Sequence, residues 1–248
     1  ALCVGGKLGV QDIWFSLLVG LSFLTSLLSA VAGAGGGAVL IAVLASVLPA
    51  HAIIPVHGFV QMGSNVGRSA LTWRHIDWPT VIWFVPFGLV GTLLGSLVLL
   101  QLPQHWLQLS IAGFLLFLTW GPQLPKLILG RVGLALGAAL CGFISLFVGA
   151  SGPVVASFVK ARFDHRHTVV ATFAAIMTMQ HAPKAFVFSA QGFVFEQWWL
   201  LIICMIAAGF LGTYMGVRWL KKMTNHHFDQ LFKWVITLLA LRLLWTAF

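Results

Sequence analysis

Ten apolar stretches follow one another along the chain and leave it almost no polar surface to show to water. They cover residues 14–31, 38–48, 52–71, 78–100, 106–120, 127–148, 154–163, 168–188, 198–220 and 228–247. Most reach or approach the roughly 20 residues that a helix needs to cross the hydrocarbon core of a bilayer. Of the 248 residues, 60% are hydrophobic and 8% charged, and the mean hydropathy is +0.99. Soluble domains carry about 25% charged residues. This balance excludes an ordinary soluble enzyme, a disordered chain and a nucleic-acid binder, and its expected surroundings are a lipid bilayer. The expected fold class is an all-α polytopic membrane protein.

Two stretches, 38–48 and 154–163, are too short to span, and each follows a glycine-rich break. Trp14, Trp78, Trp106, Trp120, Trp198 and Trp199 fall at segment ends, where an aromatic belt would place them. Ala30-Val31-Ala32 resembles a signal-peptide cleavage site. No basic stretch directly precedes that run and the pattern recurs mid-chain, so cleavage there is not expected. The first residue is not Met, and the extreme N-terminus is expected to be trimmed.

The two halves align with each other. At an offset of 116, Gly33-Ala34-x-Gly36 matches Gly149-Ala150-x-Gly152, Val39, Val43 and Ala45 match Val155, Val159 and Ala161, and Arg68 falls opposite Lys184. At an offset of 121, Trp78 meets Trp199, Gly91-Thr92-x-x-Gly95 meets Gly212-Thr213-x-x-Gly216, and His105 meets His226. The expected organisation is a first repeat over 1–124 and a second over 125–248, in one integrated transmembrane domain. If each glycine break is a turn, every half has five segments and the halves have opposite topology. Arg68, Arg74, Lys126, Arg131, Lys160, Arg162, Arg166, Arg218, Lys221 and Lys222 then share one face, and Lys7, Lys184, Lys233 and Arg242 take the other. If each break is crossed straight through, the basic residues scatter over both faces. The positive-inside rule selects the inverted arrangement, with both termini outside the cytoplasm. Inverted repeats are a transporter signature.

Gly33-Ala34-Gly35-Gly36-Gly37 and Gly149-Ala150-Ser151-Gly152-Pro153 therefore carry the functional expectation. Irregular backbone at membrane depth must face protein or a wet cavity. Each break precedes a helix whose first N–H groups are free and partly positive. Pro153 suits a helix start, and Ser151 adds a hydroxyl. Two such starts aimed at one point favour a small anion. Gly91-x-x-x-Gly95 and Gly212-x-x-x-Gly216 read instead as close helix packing. On the third segment His57, Gln61, Ser64, Asn65 and Arg68 recur at i, i+4, i+7, i+8 and i+11, one helix face. Thr172, Gln180, His181 and Lys184 take matching or neighbouring places on the eighth. Polar residues inside a span default to a functional reading, although Arg68 and Lys184 could also snorkel to the interface.

Other chemistry is unsupported. Asp12, Asp77, Asp164, Glu196 and Asp229 sit at or near segment ends, so no carboxylate relay crosses the core. No Walker A, GxSxG or HExxH pattern is present. Cys3, Cys141 and Cys204 form no metal spacing, and neither cofactor nor metal is expected.

The GAGGG run, the segment Val56-His57-Gly58-Phe59-Val60-Gln61-Met62-Gly63-Ser64-Asn65-Val66-Gly67-Arg68, the His75-Ile76-Asp77-Trp78 loop and the GxxxG blocks together resemble the TauE/SafE family of sulfite and organosulfonate exporters. The resemblance covers nearly the whole chain. It implies a plasma-membrane permease for small sulfur oxyanions such as sulfite, sulfoacetate or thiosulfate, and not an enzyme. Its glycine motifs carry over onto Gly33, Gly35, Gly36 and Gly37 and onto Ser151, Gly152 and Pro153, with Ser151 and Pro153 departing from glycine. Its polar helix carries over onto Gln61, Ser64 and Asn65. The expected binding set is these residues with His57, Arg68, Gln180, His181 and Lys184, working by alternating access, as a uniporter or with His57 or His181 carrying protons. The competing readings are an anion channel of the same architecture and a membrane-embedded metal protein or enzyme using the nine histidines.

Overall fold

The computed structural model describes residues 8–32, 35–99, 104–121, 131–149 and 151–219, together with 234, 237–238, 240–242 and 244–245. Among these residues the chain is helical, without strands. The helices are α1 (Leu8–Ala32), α2 (Gly36–Val47), α3 (Ala50–Leu71), α4 (Trp78–Leu99), α5 (Gln104–Trp120), α6 (Arg131–Val148), α7 (Gly152–Arg162), α8 (Arg166–Ala190) and α9 (Trp199–Trp219). The described residues between 234 and 245 are helical as well. Residues 127–130, at the start of the sixth apolar stretch, lie outside the described residues.

Local sequence explains the breaks. α1 gives way to the glycine-rich turn, where Gly35 has φ 109°, in the region that glycine alone enters cheaply. α2 then folds straight back against α1. A Cβ on Gly36 would collide with the Thr25 carbonyl and approach Ser29 Oγ to 2.5 Å. At 12 residues α2 is about 18 Å long, and Leu40, Ile41 and Leu44 on it are fully buried. In the second half Gly149 has φ 71°, and α7 starts at Gly152 with Pro153 in its first turn. α4 starts where Asp77 Oδ2 accepts the Thr80 N–H at 3.0 Å.

Among the described residues, four helices are long and apolar enough to cross a membrane, over Ile13–Val31, Trp78–Val98, Arg131–Val148 and Trp199–Arg218. This is fewer than the apolar stretches led us to expect. α5 has 17 residues, and most of the last stretch lies outside the described residues. α3 and α8 are 22 and 25 residues long but carry polar residues and pack on one another. The four apolar helices stand outside them. They turn Leu17, Leu24, Ile82, Leu93, Leu97, Val132, Leu136, Ile203 and Leu211 outward, each more than half exposed, as a bilayer-facing surface requires. Trp14, Trp78, Trp106, Trp120 and Trp199 are likewise exposed, but Trp198 is not. It sits one residue before α9 and is packed into the core with Leu201, Ile202 and Met205.

Packing repeats itself between the halves. α1 lies on α9, and α6, the counterpart of α1, lies on α4, the counterpart of α9. The glycine ridges make equivalent contacts. A Cβ on Gly91 would strike the Ala139 carbonyl, and one on Gly212 would strike the Phe23 carbonyl, 116 positions earlier than Ala139. Gly95 lies against Phe143 and Leu146; Gly216 lies against their counterparts Leu27 and Ala30. Gly88 and Gly209, which the GxxxG reading did not include, extend both ridges by a turn, against Gly142 in one half and Ser26 in the other. Backbones approach this closely only across small residues, the usual device for helix association in lipid.

Candidate functional site

The two glycine turns meet at one small pocket. Gly35, Gly37 and Ala38 line it from the first turn, and Gly149, Gly152 and Pro153 from the second. His57, Gln61, Asn65 and Arg68 enter from α3, Phe173, Met177 and His181 from α8, and Ser29 from α1. The first turns of α2 and α7 both begin at the pocket, and neither is capped by a side chain. Their leading N–H groups and partial positive charge therefore face the cavity.

The side chains add to that field. Arg68 is 1% exposed, and Nε, Nη1 and Nη2 all lack a hydrogen-bond partner among the described residues. Among the described residues no carboxylate lines the pocket. A buried guanidinium with five unused donors is costly unless something negative meets it. Asn65 Nδ2 donates to the Gln61 carbonyl at 2.8 Å, while Asn65 Oδ1 has no partner among the described residues. His57 Nε2 lies 2.9 Å from the Gly37 carbonyl oxygen, which can only accept, so Nε2 carries the hydrogen. His57 Nδ1 and both ring nitrogens of His181 are unpartnered among the described residues. The two imidazoles meet edge to face with centroids 5.9 Å apart.

The pocket thus gathers hydrogen-bond donors and a buried guanidinium. The sequence matches the family described as Sulfite exporter TauE/SafE over residues 18–243. The chain belongs to the TauE/SafE family. No match was found among curated proteins or among solved structures. TauE/SafE is a family of membrane transporters for sulfite and related anions, and the exposed apolar helices accord with membership.

In this TauE/SafE chain, ten of the residues singled out in the sequence line the pocket together: Gly35, Gly37, His57, Gln61, Asn65, Arg68, Gly149, Gly152, Pro153 and His181. Gly33 lies outside the described residues. The others stand nearby but turn elsewhere. Gly36 faces α1. Ser64 Oγ donates to Ser26 Oγ at 3.0 Å and lies 3.2 Å from Thr213 Oγ1, between α1 and α9. Ser151 Oγ donates to Gln180 Oε1 at 3.0 Å, so these two occupy each other. Lys184 Nζ donates to the Gly149 carbonyl at 3.3 Å, and its chain runs past Gly58. Thr172 Oγ1 accepts the Asp77 N–H at 2.9 Å, away from the cavity.

Sequence reasoning missed Ser29, Ala38, Phe173 and Met177. Ser29 had a legible signal, since Ser22, Ser26 and Ser29 share one face of α1. Phe173 and Met177 are the second-half counterparts of His57 and Gln61 at the offset of 116. Carrying the repeat across would have found them; searching for polar residues could not. Among the described residues no three His, Cys, Asp or Glu come together as a metal site. His75 and His167 stack as a tilted pair, 5.2 Å apart, away from the pocket.

Proposed function

We propose that this TauE/SafE member moves a small sulfur oxyanion, such as sulfite, a sulfonate or thiosulfate, across the plasma membrane as a secondary transporter. The observation that carries the reading is the buried Arg68 guanidinium, facing a pocket where two helix starts converge and, among the described residues, no carboxylate neutralises it. Its donors and the free N–H groups of α2 and α7 hold the charge. Gln61, Asn65 and His181 meet the oxygens or the rest of the solute. The pocket sits near the midplane, where the two halves meet as inverted repeats, and rocking of one half against the other opens it to alternate sides. The excess of basic residues on one set of loops puts both termini outside the cytoplasm.

Purified protein in liposomes tests the reading. Vesicles loaded with unlabelled sulfite are expected to accumulate labelled sulfite transiently against its gradient, saturably. A transporter shows such counterflow; a pore of the same architecture does not. Asn65→Ala is expected to lower the flux about tenfold with normal expression and folding, as loss of a buried hydrogen-bonding group at the ligand would. Unchanged flux would remove Asn65 from the site.

A further inference from the structure

The pocket offers acceptors as well as donors, and a bare anion has no use for them. The orientation of the Asn65 amide is fixed by its neighbour: Nδ2 donates to the Gln61 carbonyl at 2.8 Å, and a flip would set oxygen against oxygen. Oδ1 is therefore the free end, in a residue 2% exposed, with no partner among the described residues. Arg68 follows Asn65 by three positions, so the two side chains are neighbours on one helix face, about 5–6 Å apart at Cβ. One small oxyanion can touch both. His57 repeats the pattern further along α3. Its Nε2 hydrogen is committed to Gly37, which makes Nδ1 an acceptor in the neutral ring, also unpartnered.

The unpaired acceptor selects between charge states. A fully ionised dianion would present only lone pairs to Asn65 Oδ1. A monoanion that keeps an O–H gives that oxygen its missing donor, while Arg68, the one lysine or arginine among the described pocket-lining residues, meets the charged oxygens.

We infer that the pocket takes its oxyanion as a singly charged, hydrogen-bearing species, of which hydrogensulfite is the simplest, and that Asn65 Oδ1 accepts that hydrogen while Arg68 holds the charged oxygens. This rests on the anion-transport reading above and sets the protonation state of the solute. The titratable groups facing the site are His57 and Arg68 on α3 and His181 and Lys184 on α8. The pocket-lining residues of α1, α2 and α7 are Ser29, Gly37, Ala38, Gly152 and Pro153, none of which titrates. A change in the protein's own charge would alter the binding of any anion, whereas a change in sulfite's charge alters sulfite alone.

Calorimetric titration of the full chain in detergent with sulfite, methanesulfonate and sulfate, over a pH series spanning the second ionisation of sulfurous acid, separates these cases. Affinity reckoned on total sulfite is expected to fall about tenfold for each pH unit above that ionisation. Methanesulfonate, singly charged without an acidic hydrogen, is expected to bind at least about tenfold more weakly than hydrogensulfite and without that slope. Sulfate should bind more weakly again. The variant Asn65→Leu is expected to close the gap between hydrogensulfite and methanesulfonate. Sulfite affinity that stays level or rises across the ionisation overturns the inference and leaves the anion site standing. Parallel slopes for sulfite and methanesulfonate assign the effect to the histidines or Lys184 and overturn it as well. A gap that survives in Asn65→Leu removes Asn65 as the reader of the hydrogen. Binding of neither sulfite nor methanesulfonate at any pH overturns both this inference and the function proposed above. The comparison of ligands on the unaltered protein decides the main point even where the variant fails to fold.

Discussion

Arg68 and Lys184 occupy the same place in the two halves of the chain, 116 positions apart, yet they meet different surroundings. Both are buried, at 1% exposed. The guanidinium of Arg68 lines the pocket and finds no partner among the described residues, whereas the ammonium of Lys184 reaches the Gly149 carbonyl at the second glycine turn. The turns differ in the same sense. The first offers Gly35 and Gly37 to the cavity, and the second pairs its hydroxyl, Ser151, with Gln180 and inserts Pro153 at the helix start. The two places align in sequence. On the anion-transport proposal, side-chain chemistry leaves one half to meet the anion and the other to hold the pocket's shape. Lysine, a flexible point donor, suits a single carbonyl; arginine, a planar fork of five donors, suits an oxyanion.

That division of labour can be broken at its strongest point by comparing Arg68→Ala with Lys184→Met. Removing Arg68 takes away the charge that the anion meets in a desolvated pocket, and truncating a buried charged partner costs about 2–5 kcal/mol. Sulfite flux into liposomes is expected to fall about 100-fold or more, with Arg68→Lys recovering part of it. Lys184→Met removes one hydrogen bond to the second turn and is expected to lower maximal flux about tenfold or less, with the half-saturating sulfite concentration little changed. Equal losses in both variants, or a larger loss at Lys184, would show that the two cations share the anion.

The contrast between halves also explains how much of the molecule was legible in its sequence. Helix starts were readable where punctuation is chemical. Trp78 opens α4 as expected, and the glycine breaks open α2 and α7 at Gly36 and Gly152, two residues ahead of the apolar runs that marked them. The polar face of α3 was readable because four of its five members, His57, Gln61, Asn65 and Arg68, do share the cavity. Ser64 was not: at i+7 it lies only about 20° from His57 around the helix, yet Ser26 and Thr213 take up its hydroxyl between α1 and α9. On α8 the polar signal misled further. The cavity face there is Phe173, Met177 and His181, while Gln180 and Lys184 attend to Ser151 and Gly149. A polar side chain within a span marks an unmet hydrogen bond, and sequence does not tell whether a solute or the protein's own backbone meets it.

Where the halves are alike, matched substitutions should give matched effects. Gly91 and Gly212 sit against the carbonyls of Ala139 and Phe23, with no room for a Cβ. Gly91→Val must part α4 from α6, and Gly212→Val must part α9 from α1. Each is expected to cost about 3 kcal/mol, the upper range for overpacking, read as a loss of thermal stability in detergent of similar size for the two variants. A large cost at one glycine with tolerance at the other would mean that the two helix pairs are held together differently, and that the repeat is one of sequence more than of mechanics.

The finest test lies at the second turn. Ser151 is fully buried, and its hydroxyl donates to Gln180 Oε1 rather than capping α7 or lining the pocket. Gln180 Nε2 is left without a partner among the described residues. Ser151→Ala therefore removes one neutral hydrogen bond and frees one acceptor, at a cost of about 1 kcal/mol. Stability should fall by that small amount, and the affinity for sulfite should change by less than about fivefold. The same substitution would do far more if the hydroxyl turned to the anion in another stage of transport. A fall in sulfite affinity approaching that of Arg68→Ala would place Ser151 on the solute, and the second turn would then bind as the first one does.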